Sequence, residues 1–335
     1  MELSIGRILN LKTKCPICQE ESQLLIAELS DDRYNYPGHF SIYRCGTCAH
    51  CSTMPKYQAD RISELYKDFY GRNQVKVGEL KNQALKNIGK GNSKYRKKRF
   101  KTEINLLKRE NPKQLKILDF GSGDCLELSE LNTLDFEVWG HETDPNSHRI
   151  ANELDFKMIK NAHELNDFSN YFDYIQLNQV IEHFIQPDFE LKEISSLLKI
   201  YGILHIETPN VNSIYRKMMK GKWINWHVPY HQHHFSIRSI KNILQKNGYE
   251  ILYLGTQTPY QWTLTQIAVL LNNIFSNHNL KIWNKEAKKP LTETNQFIRD
   301  EFVIRIVRCV INMINYFIDK FKKGDSIVIS ARRIK

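Results

Sequence analysis

Three kinds of side chain in this sequence stand at spacings that chemistry requires. The first are thiols. Cys15-Pro-Ile-Cys18 and Cys45-Gly-Thr-Cys48 form two C-x2-C knuckles. Four such thiolates would close a tetrahedral zinc site with no open position, so the metal would be structural. Cys51, His39 and His50 lie close enough along the chain to compete as ligands. The second are carboxylates that end apolar runs. "ILDFGSGD" places Asp119 just before Gly121 and Gly123, and "VWGHETDP" places Glu142 21 residues after Gly121. An acid beside a short glycine turn can take a cationic amine while the backbone approaches closely. A second acid at this distance can accept both hydroxyls of a ribose. The ligand these groups suit is an adenosine joined to an amino acid. The third are histidines: His183 in "VIEH", and His227, His231, His233 and His234 in "WINWHVPYHQHHFS". A neutral imidazole can remove a proton from a hydroxyl. His183 and His233 are the candidate bases, and Glu182 with clustered histidines would also suit a divalent ion. Trp223, Trp226 and Tyr230 offer ring faces on which a sugar could stack.

Two common nucleotide sites are excluded. The sixth position of the would-be G-x-G-x-x-G is Leu126, which argues against NAD or FAD. A G-x-x-x-x-G-K-[ST] phosphate loop is absent.

The elements that must position these residues follow from pattern. From Lys116 onward the short apolar runs "KILDF", "EVWGHE", "FKMI", "YIQLN" and "GILHIETP" alternate with helical stretches, and "YEILYLGTQT" and "DSIVISARR" read as further strands. Strands alternating with helices predict a parallel sheet covered on both faces. The 335 residues are enough for about two domains. We divide them into a Cys-rich ribbon at 1–70, a basic helical linker at 71–112, and an α/β domain at 113–335 with a helical insertion at about 260–322. Lys and Arg number 48 against 37 Asp and Glu, a net charge of +11 that suits nucleic acid, an anionic membrane or phosphorylated substrates. Part of that excess is local, in "KYRKKRFK" at residues 94–101. No signal-peptide core or uninterrupted spanning run is present, so a cytoplasmic protein is expected, where cysteines serve more often as ligands than as disulfides.

In that order and spacing, these motifs resemble those of the class I S-adenosylmethionine-dependent methyltransferases, over about residues 116–258 and again at the last strand. "ILDFGSGD", "GHETDP", "KNAHEL" and "FDYIQLNQVIEHF" are similar to the family's first four motifs, and "LLKIYGILHIETPN" to the helix and fifth strand that follow. The resemblance implies a Rossmann-like seven-stranded sheet, mostly parallel with the last strand antiparallel. It implies S-adenosylmethionine as cofactor, held by Asp119, Gly121, Gly123 and Asn178, with Glu142 on the ribose and Asn161 and Ala162 beside the adenine. Cys125 stands where the family often has a third glycine, and Asn161 where it often has Asp; an amide oxygen can still accept from an adenine amine.

The cysteine pattern resembles the four-cysteine zinc ribbon that precedes the methyltransferase domain in sugar methyltransferases of bacterial surface-polysaccharide pathways, which implies one structural zinc on Cys15, Cys18, Cys45 and Cys48. No Asn-Pro-Pro-Tyr marks an exocyclic amine acceptor, and no Pro-Cys lies on the fourth or fifth strand for attack on a pyrimidine carbon. The expected reaction is O-methylation of a small-molecule or lipid-linked sugar. RNA methylation, with the ribbon and basic linker gripping phosphates, is the alternative, and a non-catalytic cofactor-binding scaffold is a third reading. "WTLTQIAVLLNNIF" and "FVIRIVRCVINMINYFI" are too polar to span a bilayer and too apolar to lie fully exposed. They predict helices packed on the sheet, with part of one face open as a dimer interface or a peripheral membrane contact.

Overall fold

The computed structural model describes residues 13–69, 92–107, 115–131, 136–275 and 301–335. The expected linker at 71–91 and 108–112, and residues 276–300 of the expected insertion, lie outside them. So do the side chains of Lys94 to Lys98 in the basic run.

Two sheets make up the described chain. The first is antiparallel: β1 (Thr13–Lys14), β2 (Glu21–Leu29), β3 (Phe40–Cys45) and β4 (Cys51–Met54) pair in sequence order. Helix α1 (Ala59–Asp68) follows, and then α2 (Asn92–Leu106). The second sheet begins with β5 (Lys116–Phe120), α3 (Leu126–Leu131), β6 (Glu137–His141), α4 (Pro145–Glu153), β7 (Lys157–Ile159) and α5 (Ala162–Leu165). It continues through β8 (Phe172–Asn178), α6 (Pro187–Leu197) and β9 (Leu198–Pro209). After α7 (Ile214–Met219) the chain makes β10 (His233–His234), α8 (Ile237–Lys246), β11 (Tyr249–Gln257), α9 (Tyr260–Phe275), α10 (Glu301–Lys320) and β12 (Ser326–Arg333).

The seven-stranded sheet has the order β11-β12-β9-β8-β5-β6-β7. The pairs β5–β6, β6–β7, β5–β8 and β8–β9 are parallel, whereas β12 is antiparallel to both β9 and β11. A strand covered on both faces needs a nearly continuous apolar run, and "FDYIQLN" of β8 is buried along almost its whole length. The chain winds outward from β5 to β7, then returns to β8 on the other side of β5. That reversal opens a crevice beyond the carboxyl ends of β5 and β8, where open α/β sheets take their ligands.

The first sheet does not stand apart. β10, from the histidine segment, is its fifth strand, with His233 opposite Ser52 and His234 opposite Cys51. Thr53 Oγ1 donates to the His231 carbonyl at 2.6 Å and Ser236 Oγ to the Cys48 carbonyl at 2.7 Å. Cys15, Ile17, Cys45 and Cys48 share one apolar core with Phe235, Ile240 and the seven-stranded sheet.

The basic helix α2 turns part of its charge inward. Arg99 pairs with Glu207 at the end of β9, and Phe100 is buried against Tyr174. Glu103 accepts from Tyr174 Oη at 2.6 Å and from Ser330, and lies 3.0 Å from His205 Nδ1. Burial alone would raise the Glu103 carboxyl, but His205, Arg99 and Ser330 outweigh it and hold it down at about 2. A carboxyl depressed in the folded state stabilises above its unfolded value of 4.5 and loses that stability as pH falls towards 2. The contribution is about 3 kcal/mol, more than half of it gone by pH 3. Urea unfolding of Glu103→Gln between pH 5 and pH 3 should show that much less acid sensitivity than the parent. Equal slopes would remove Glu103 from the account.

Candidate functional site

The thiol cluster is built from two like turns. Gln19 N–H donates to the Cys15 carbonyl at 2.9 Å and Ala49 N–H to the Cys45 carbonyl at 3.1 Å, with Gln19 and Ala49 at φ of 64° and 58°. Each turn also closes a wider pair, Cys15 with Glu20 and Cys45 with His50. The sulfurs meet at 3.6 Å (Cys15–Cys48) and 3.5 Å (Cys18–Cys45 and Cys18–Cys48). Those separations are far beyond a disulfide of about 2.05 Å. They approach the edge of about 3.8 Å expected for a tetrahedron with zinc–sulfur bonds of about 2.3 Å. The hydrogen bond from Cys48 pulls the Cys15 thiol down to about 5. The other sequence candidates lie elsewhere: His39 is exposed, His50 Nε2 is 3.0 Å from His233 Nδ1, and burial pushes Cys51 up to about 12 in the second core.

At the crevice, Gly121 has φ +78°, and a Cβ there would lie 2.6 Å from Val180 Cγ2. Gly123 and Cys125 follow at φ 54° and 59°, so Cys125 keeps the left-handed backbone that a glycine adopts most readily. Glu142 ties the neighbouring loops together. Its Oε2 accepts from Gly123 N–H at 3.0 Å and its Oε1 from Thr143 N–H at 2.9 Å. Buried Asp119 accepts from Gln176 Nε2 at 2.9 Å. Asn178, at the end of β8, donates to Glu127, while its Oδ1 is buried with no hydrogen-bond partner. A buried carboxylate, an unsatisfied buried acceptor and a turn with two glycines suit a close-packed ligand that carries an ammonium group. Asn161 is occupied differently from the sequence expectation. Its Oδ1 caps α5, accepting from His163 and Glu164 N–H at 3.0 Å each, and its Nδ2 donates to Glu164 at 2.7 Å. Ala162 begins that helix on the surface.

The histidines separate by burial. His50, His227, His231, His233 and His234 are all buried, which disfavours their charged forms and holds them well below the usual imidazole range. His233 is 0% exposed, between His50 and Lys56, whose Nζ lies 3.4 Å from His233 Nε2. His183 is half-buried, in the turn Ile181–His183 just past β8. Its Nδ1 lies 2.7 Å from Tyr66 Oη and 3.1 Å from the Tyr230 carbonyl. His231, not His233, packs against it, with ring centroids 4.7 Å apart. Glu182 completes the group: ligating atoms of Glu182, His183 and His231 all lie within 4.8 Å of one another. Burial pushes the Glu182 carboxyl up to about 8, and its Oε2 accepts from Thr208 at 2.9 Å. At neutral pH Glu182 already holds a proton and burial keeps one off His231, which leaves half-buried His183 as the ring open to take one; the three ligating atoms also stand close enough to hold a divalent ion.

The expected stacking faces are not open. Trp223 and Trp226 are each 2% exposed, with their indole N–H groups on Asp325 and the Lys220 carbonyl. The sequence reading also missed Tyr66. Only the run of aromatics in "ISELYKDFYG" hinted at it.

Residues 93–254 match a family model described as a methyltransferase domain. No curated protein matches the chain. Similar solved structures include an S-adenosylmethionine-dependent methyltransferase from Archaeoglobus fulgidus, at 17% identity over 72% of this chain and 94% of that one, with a TM-score of 0.44. Another is phosphoethanolamine N-methyltransferase 2 from Haemonchus contortus, at 14% identity over 99% of this chain and 73% of that one, with a TM-score of 0.46.

Proposed function

We propose that the chain, whose residues 93–254 match a methyltransferase-domain model, uses S-adenosylmethionine to methylate a hydroxyl oxygen of a sugar in cell-envelope glycan synthesis, with zinc on Cys15, Cys18, Cys45 and Cys48. The observation that carries the reaction type is the setting of His183. In the tautomer that donates Nδ1–H to the Tyr230 carbonyl, with Tyr66 Oη at 2.7 Å accepting as well, the lone pair is left on Nε2. S-adenosylmethionine supplies the electrophilic methyl group when bound. Asp119 and the Asn178 Oδ1 would accept from its amine and Glu142 from its ribose hydroxyls, with Gly121, Gly123, Asn161 and Ala162 beside it. His183 Nε2 would take the proton of the acceptor hydroxyl as that oxygen displaces the sulfonium sulfur from the methyl carbon, and the Tyr230 carbonyl would then steady the imidazolium through Nδ1–H. We assign proton transfer to His183 rather than to His233, whose ring is enclosed by the ribbon sheet.

The sugar reading rests on the resemblance of the ribbon. Arg99, one member of the basic run that would grip RNA, is turned onto Glu207 instead. The test is transfer of labelled methyl from S-adenosylmethionine to nucleotide- and lipid-linked sugars and, separately, to total RNA. Label should enter the sugar pool as an alkali-stable ether. Glu142→Ala should raise the KM for S-adenosylmethionine by about tenfold or more, the loss of hydrogen bonds to a charged acceptor. Label in RNA, with strongly salt-dependent binding, would replace this reading with the nucleic-acid one.

A further inference from the structure

Helix α10 is fixed in rotation by its inner side. Ile311 and Asn315 are buried, with Asn315 accepting from Tyr215 Oη at 2.7 Å and donating to Thr263 Oγ1 at 2.9 Å. The opposite consequence is a row of large apolar side chains on the outside. Ile306, Val310, Met313, Ile314 and Phe317 are 45–57% exposed, and Phe321, just past the helix, is 72% exposed. Spacings of three and four place all six on one face of the helix. Single exposed apolar residues are ordinary, but a contiguous row this long marks a surface that is covered by something.

The charges beside the row say what covers it. Lys320, Lys322 and Lys323, at the carboxyl end of the row, are all exposed, whereas Arg308 lies on the other side of the helix, over the Tyr260 ring at 5.4 Å. Asp319 is the only acid among the described side chains of the helix, and it faces inward, accepting from Thr258 N–H and Oγ1 at 3.0 and 2.9 Å. A two-fold contact with the helices parallel would set these lysines against themselves. A surface that is apolar beneath and anionic above satisfies both features at once. Among the described residues no helix is long and apolar enough to cross a membrane.

We infer that α10 is a membrane-surface helix: it lies in the plane of an anionic bilayer, the row from Ile306 to Phe321 in the headgroup–acyl boundary and Lys320, Lys322 and Lys323 on lipid phosphates. This inference does not depend on which acceptor is methylated.

The full-length protein should float with vesicles of phosphatidylcholine containing roughly a third phosphatidylglycerol, and bind pure phosphatidylcholine vesicles about tenfold less. Met313→Asp combined with Phe317→Asp should cut binding to anionic vesicles by tenfold or more. Both side chains point outward, so far-UV circular dichroism and S-adenosylmethionine affinity should stay at parental values. Lys320→Glu with Lys322→Glu and Lys323→Glu should lose binding and its salt dependence together. No flotation of the parent, or binding that survives the paired aspartates, overturns the inference. So does light scattering that shows a dimer which those aspartates split, since the face then belongs to a second copy.

Discussion

Protein purified without chelator should carry about one zinc, and replacing Cys15 and Cys45 together by serine should abolish it and unfold the N-terminal sheet. The effect should be large because apparent binding free energies of structural zinc are on the order of 10 kcal/mol, much of it folding free energy. Here the four sulfurs converge from two turns of one sheet, and their side chains lie in the same core as the α/β sheet. Loss of the metal would therefore reach β4, its partner β10, and the Tyr66 contact to His183. Metal analysis and thermal melts with and without a strong chelator check this. A metal-free preparation with an unchanged melting temperature ends the zinc assignment.

His183→Ala should lower kcat by roughly two to four orders of magnitude, the range for removing a general base. S-adenosylmethionine affinity should remain near the parental value, because Glu142 and the Gly121–Gly123 turn belong to a different loop. Tyr66→Phe removes the 2.7 Å contact to Nδ1 but leaves the Tyr230 carbonyl, so its loss should be smaller and should show in the pH profile of kcat/KM. If His183→Ala keeps full turnover while His231→Ala does not, the base is the second ring of the pair.

The sheet was legible because its signals are local. Each of the runs from "KILDF" to "DSIVISARR" became a strand, and a βα turn with an acid and two glycines has few other uses. The rotation of α10 was not legible. A period of three to four puts Phe302, Ile306, Cys309, Met313 and Phe317 on one stripe beside Val303, Val307, Val310, Ile314 and Ile318, but does not say which half is covered. Asn315, a polar residue on the buried side, decides it through Tyr215 and Thr263. Residues brought together across long sequence separations were equally hidden. Nothing near Glu103 announces His205 or Ser330, and nothing in "VIEH" announces Tyr66. The tryptophans misled because an indole suits a sugar face and a core equally well. Here Asp325 and the Lys220 carbonyl satisfy their N–H groups inside. Among the titratable side chains, sequence offered His183 and His233 as equals, and burial separates them.

The pairing of β4 with β10 joins residues 51–54 to residues 233–234. A contact that spans more than half the chain carries a high loop-closure cost and comes late in folding. During synthesis the thiol turns therefore emerge long before the strand that completes their sheet, and the ribosome must deliver most of the α/β region first. Until then Cys51–Met54 presents an open edge, of the kind that recruits neighbouring chains. Exchange of this N-terminal unit between related enzymes would face the same constraint. A transplanted ribbon needs its matching histidine strand, so the two should be inherited as a pair rather than as separable modules.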